Sequence, residues 1–200
     1  MNRTQLIALS ATAILAATSQ AAQAHVGVGP TSGFAHGFAH PIGGLDHILA
    51  MVLVGVLAAQ IGGRAMWLVP TSFLGVMVLG GVAGAIGIGL PFVELGIGLS
   101  VVVLGAVVAL GLRIAMAFAM ALVGFFAMFH GFAHGAEMPA VGSGLGYGVG
   151  FLLATAALHA VGLGFGLALS RFAFAKGAHV VKATGGAAAL AGVAIVTGLF

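Results

Sequence analysis

The stretch from Phe92 to Gly111, FVELGIGLSVVVLGAVVALG, decides the fold. It carries one acidic residue, Glu94, near its start, and no basic residue until Arg113 follows it. About 20 consecutive apolar residues suffice to cross the hydrocarbon core of a bilayer as a helix, the element that satisfies its own backbone there. Five further stretches share this character, at about 43–61, 66–88, 114–135, 143–169 and 183–200. The breaks between the six are short: Gly62-Gly63-Arg64, Gly89-Leu90-Pro91, Leu112-Arg113, Glu137-Met138-Pro139, and Arg171 to Lys182. The expected fold is all-α, a polytopic membrane protein with six transmembrane helices in a single domain over residues 25–200.

Composition agrees. Charged residues make up 4% of the chain, against about 25% in soluble domains. The net charge of +3 rests on very few residues, and no basic patch with interleaved aromatics points to nucleic acid. Cysteine is absent, which removes disulfides, thiolate metal sites and cysteine nucleophiles together. Residues 1–24 read as a cleaved signal peptide: Arg3 is the positive n-region, Leu6 to Ala17 the apolar h-region, and Ala22-Gln23-Ala24 the small-residue cleavage site. Cleavage would leave His25 as the mature N-terminus. Segment 25–40 is less apolar, a periplasmic arm or a helical lead-in.

Basic residues orient the chain. With the mature N-terminus outside, Arg64, Arg113, Arg171, Lys176 and Lys182 all fall on the cytoplasmic side, as the positive-inside rule expects. The same threading sends Asp46, Glu94 and Glu137, with His25, His36, His40, His47, His130 and His134, to the outer ends. Both mature termini are then periplasmic, and the bacterial inner membrane is the expected location. Gly80-x3-Gly84, Gly146-x3-Gly150 and Gly162-x3-Gly166 allow close helix approach. The repeated Gly-Phe-Ala-His at 33–36, 37–40 and 131–134 is too short to establish an internal repeat. No strand–glycine–helix context supports a dinucleotide site and no P-loop occurs, so no nucleotide partner is expected.

Two clusters carry the chemistry. One is His40-Pro-Ile-Gly-Gly-Leu-Asp46-His47; the other is Phe129-His130-Gly-Phe-Ala-His134-Gly-Ala-Glu137. Ionisable groups beside apolar spans are expensive and mark ion or substrate paths. At about 100° per residue, His130, His134 and Glu137 fall within roughly 60° of one helix face. If the lead-in is helical through Pro41, His36, His40 and His47 form one stripe. The favoured alternative is that Pro41 opens the first helix, where proline is preferred, and that His36 and His40 lie in a loop folded over it. Imidazole and carboxylate donors without thiolate suit nickel, zinc, cobalt or manganese. The plainer reading is that membrane histidines hydrogen-bond neighbouring helices. Segregation of six histidines and three acids to one side argues against it for the clusters. Glu94 could simply favour its helix N-terminus. His159, near the middle of the fifth span, is either a helix–helix hydrogen bond or a station on an inward path. His25 could chelate metal through its amine and imidazole.

His40-x5-Asp46-His47, followed by Phe129-His-Gly-x-Ala-x-Gly-x-Glu137, resembles the HupE/UreJ family over the whole chain. The family's motif positions correspond to His40, Asp46, His47, Phe129, His130, Gly131 and Glu137, with Phe129 and Gly131 in structural roles. His134 occupies a variable position, and its role rests on helix geometry. The resemblance implies a nickel permease serving maturation of nickel hydrogenase or urease. The expectation is thus a secondary transporter, not an enzyme, with no permanently bound cofactor and with Ni²⁺ as cargo (Co²⁺ or Zn²⁺ having overlapping ligand preferences). A membrane haem protein, an intramembrane metal-dependent enzyme and a metal sensor are the competing classes.

Overall fold

Glycines facing one another decide which spans touch. The computed structural model describes residues 33–138, 144–172 and 174–199. Seven helices occur among the described residues: α1 (Gly33–Gly43), α2 (Leu45–Ile61), α3 (Ala65–Ala85), α4 (Val93–Leu110), α5 (Met116–Ala136), α6 (Gly144–Phe172) and α7 (Phe174–Val196). Helices α3 to α7 are each long and apolar enough to cross a membrane; α1 and α2 pass the same test together but bend by 82° at their junction. The protein is an all-α, multi-pass membrane protein. The expected signal peptide and His25 lie outside the described residues.

In lipid, helices gain little from burying apolar surface and associate through close packing of small residues. On α3 and α5 the fit leaves no room for a methyl group. A Cβ on Gly80 would strike the carbonyl oxygen of Met128, on Gly84 that of Phe132, on Gly131 that of Met77, and on Gly135 that of Gly81. Helices α2 and α6 meet likewise, through Gly55 against the His159 carbonyl and Gly162 against the Val52 carbonyl. Helix α1 is pressed onto α6 by Gly37 and Gly150, and α4 onto α7 by Gly105 and Gly185. Helix α2 also touches α3 and α4, so its middle, including Met51, Leu53, Val54, Val56 and Leu57, is buried. Trp67, Phe118, Leu145 and Leu190 face outward, as lipid-facing residues do.

Helices cover most of each expected stretch, and two details differ. The last helix starts at Phe174 rather than near 183. Its first turns carry Lys176, His179 and Lys182, all exposed, and a lysine's long stem lets its charge reach a polar layer from such a position. Second, Pro41 does not open the first membrane helix, and His36 and His40 are not in a loop. Helix α1 runs through Pro41 to Gly43, because a proline so near the C-terminal end removes only a late backbone bond. The break falls at Gly44, in extended conformation (φ −104°, ψ 126°). A side chain there would collide with Asp46 Oδ1 and His47 Nδ1, so this glycine also makes room for the pair that follows.

Charge is segregated along the bundle. His47 opens α2 and Arg64 follows its end, about 25 Å away at 1.5 Å per residue. His130 and His134 close α5, and Arg113 precedes its start. At the basic end, Lys182 lies against Gly111. A cavity of about 400 Å³ there is lined by Gln60, Ile61, Gly111, Leu112, Arg113 and Ile114.

Candidate metal centre

Helices α1, α2 and α5 bring four imidazoles together at the opposite end. Their rings form a file: His40 and His134 have centroids 4.6 Å apart, His134 and His47 4.6 Å, and His47 and His130 4.9 Å. His36 extends the file outward, 6.0 Å from His40. The exposed Glu137 carboxylate is 3.8 Å from His40 Nε2. Ligand atoms of His40, His134 and Glu137 all lie within 4.8 Å of one another. The two sequence clusters therefore form one site.

Hydrogen bonds fix where the lone pairs are. Asp46 Oδ1 lies 2.8 Å from His47 Nδ1. The carboxylate can only accept, so this nitrogen carries the proton and His47 Nε2 is left as an acceptor. His134 Nε2, 2.7 Å from His47 Nε2, must then donate, which leaves His134 Nδ1 as a lone pair. Ser100 supplies the same logic on the other side. Its hydroxyl donates to the Ile97 carbonyl at 2.6 Å, so at 3.0 Å it accepts from His130 Nε2. His130 Nδ1 is then also a lone pair. Both Nδ1 atoms are buried without a partner. Buried polar atoms normally have one, and leaving one unmade costs about 1–3 kcal/mol. Outer partners that set the tautomer of a ligating histidine are a recurring part of metal sites, and Asp46 and Ser100 stand in those places.

His40 lies in α1, before the membrane-spanning part of α2. Burial lowers its pKa below the ordinary 6.5, opposed by the Glu137 carboxylate, which keeps it neutral and able to ligate. Imidazoles, carboxylates and no sulfur make a donor set for borderline and harder divalent metals, with Asp46 and Glu137 offsetting the charge.

Two further candidates lie outside that group. Glu94 is exposed in the first turn of α4 and is not part of the His40–His134–Glu137 group. His159 lies deeper, at the middle of α6, with Phe73 between it and His130: the Phe73 ring centroid is 5.7 Å from that of His130 and 5.1 Å from that of His159. Of the motif residues, Phe129 lies over Gly96 of α4, and Gly131 is a close-contact point on α3. Four residues near the file escaped the sequence reading. Ser100 and Thr155 are lone polar residues in apolar helices. Tyr147 packs edge-on to His36 at 5.7 Å. Phe73 reads in sequence as ordinary packing. For the first three, an isolated polar group in a span was the available signal.

A cavity of about 280 Å³ beside the file has Met77, Gly131, His134, Tyr147, Phe151 and Leu152 in its wall. Its lining is otherwise apolar, so polar donors run along the rings and not through it.

The family described as HupE / UreJ protein matches residues 13–195. Protein HupE of Rhizobium leguminosarum bv. viciae is 49% identical over 177 residues, which is 88% of this chain and 91% of that protein. No solved structure is detectably similar.

Proposed function

We propose that this chain, which belongs to the HupE / UreJ protein family, is a permease that brings a divalent transition metal, nickel foremost, across the bacterial inner membrane for maturation of nickel hydrogenase or urease. The observation that carries this reading is the convergence of His40, His47, His130 and His134 from three helices. Two of them, His130 and His134, keep a buried Nδ1 without a partner, and Asp46 and Glu137 stand beside His47 and His40. Such donors replace the water of an arriving ion, and the acids offset its charge. With the histidine end outward and Arg64, Arg113 and Lys182 inward, the positive-inside rule is obeyed and both mature termini are periplasmic.

An inside-negative potential is worth about 2.3 kcal/mol per charge per 100 mV. At 100 mV a divalent ion therefore gains about 4.6 kcal/mol, an accumulation of roughly two-thousandfold at 1.36 kcal/mol per decade, with no nucleotide required. Ring packing weighs against a haem: two axial imidazoles must stand on opposite faces of a macrocycle, whereas these rings touch at 4.6–4.9 Å.

The test is nickel uptake into proteoliposomes under an imposed inside-negative potential. The His47→Ala and Glu137→Gln variants are expected to fall at least about tenfold, as loss of a ligand or its partner does in metal sites. Wild-type uptake in both removes the cluster from the mechanism.

A further inference from the structure

The file of rings does not end at His130. Beyond it stands Phe73, fully buried, and beyond Phe73 stands His159, 3% exposed. Neither ring nitrogen of His159 has a partner, nor does Oγ1 of Thr155, which is 0% exposed. Thr155 precedes His159 by four residues on α6, so the two share one helix face. Three unpartnered polar atoms thus occupy two neighbouring turns inside the membrane, where an unmet hydrogen bond is costly. A histidine held there merely to join two helices would bond the other helix, and this one does not. The backbone at this point is fixed, because Gly55 of α2 packs directly against the His159 carbonyl.

We infer that His159 and Thr155 form a second, inner site that takes the divalent cation after it leaves the outer histidines, with the Phe73 ring dividing the two. This rests on the permease reading. One imidazole lone pair and one hydroxyl oxygen are two donors, so the ion keeps part of its water there. The acids Asp46, Glu94 and Glu137 all belong to the histidine end, and none offsets the charge at this depth. The inner site is therefore weaker than the outer one, as a site passed through in transit must be if the ion is to leave it. The Phe73 ring stands between His130 and His159, so the ion must pass that side chain on its way from the outer site to the inner one.

The experiment compares equilibrium nickel binding and nickel uptake by the purified, lipid-reconstituted chain carrying His159→Leu, His159→Cys, Thr155→Val or His47→Ala. Loss of a transit site lowers the maximal rate and leaves outer binding alone, so His159→Leu should bind nickel within about twofold of wild type and carry it at least about tenfold more slowly. Thr155→Val, nearly isosteric, should slow uptake by about threefold. A thiolate is a softer donor, so His159→Cys should raise the ratio of zinc to nickel uptake. Wild-type rates in His159→Leu overturn the inner site, as does a His159→Cys variant with an unchanged zinc-to-nickel ratio. If wild type neither binds nor carries nickel, the permease reading itself fails. If His47→Ala loses uptake while His159→Leu keeps it, only the inner site falls.

Discussion

Ser100→Ala tests the outer site through a residue that no metal touches. Ser100 is fully buried, and its oxygen takes the His130 Nε2 proton at 3.0 Å while its own proton goes to the Ile97 carbonyl at 2.6 Å. Alanine removes the acceptor and leaves an N–H with no partner in lipid-excluded space. The unmade bond costs about 1–3 kcal/mol of stability. His130 then loses the contact that keeps its proton on Nε2, and the tautomer with the proton on Nδ1 blocks the ligand atom. Loss of such a supporting partner lowers metal affinity by about 10- to 100-fold, or about 1.4–2.7 kcal/mol at 1.36 kcal/mol per decade, the same range as the lost bond. Titration calorimetry with nickel in nanodiscs reads the affinity. Nitrogen NMR of labelled imidazoles reads the tautomer. Wild-type affinity together with an unshifted His130 spectrum would refute the lone-pair assignment on which the site is built.

Other perturbations have equally definite outcomes. Asp46→Asn keeps the size of the side chain but not its charge or its obligatory acceptor role at His47 Nδ1; nickel affinity should drop at least about tenfold by calorimetry. Gly131→Ala drives a methyl group into the Met77 carbonyl, an overpacking that costs about 1–3 kcal/mol and should lower the melting temperature whether or not metal is present. Acid should weaken binding in a particular window: burial lowers the His40 pKa from 6.5, so the unfolded chain binds more protons than the folded one below that value. Stability therefore falls as pH drops through the interval from 6.5 down to the lowered value, and the His40 ligand is lost only at the bottom of that interval. Nickel binding followed against pH, with His40→Gln as reference, checks the sign; a loss centred above 6.5 contradicts it.

Most of the architecture was legible because membrane spans are long, apolar and closed by glycine, proline or arginine. The α5 site face was legible too, since spacing of four and three residues fixes an angle. What that angle could not show is that its members part company: His130 turns to Ser100 and His47, His134 to His47 and His40, and Glu137 to His40 at the surface. Pro41 misled because proline marks the start of a helix more often than its last turn, and Gly44 carried the bend instead. Glu94 was grouped with the site by depth alone, and depth by itself does not fix azimuth around a bundle; it lies outside the His40–His134–Glu137 group. Ser100 and Thr155 belong to no recurring motif, and their meaning depends on which helix lies opposite. Packing between distant spans decides that, and no local pattern encodes it.

The glycine contacts give the histidine file a mechanical character. His134 and His130 ride on α5, which is locked to α3; His40 and His47 ride on α1 and α2, which are both locked to α6; Ser100 rides on α4, which is locked to α7. Each lock is backbone against backbone, with almost no side chain free to yield. The site is the seam where α3–α5 meets α1–α2–α6, with α4–α7 joined to it through Ser100, and a cation bound there, as proposed, would rivet the first two groups together. Rivets of this kind make an assembly firm when present and hinged when absent. Melting should therefore track free nickel, rising by about 2.7 kcal/mol of stability at a hundredfold excess over the dissociation constant; on the permease reading, passage of the ion inward would free the helices to tilt.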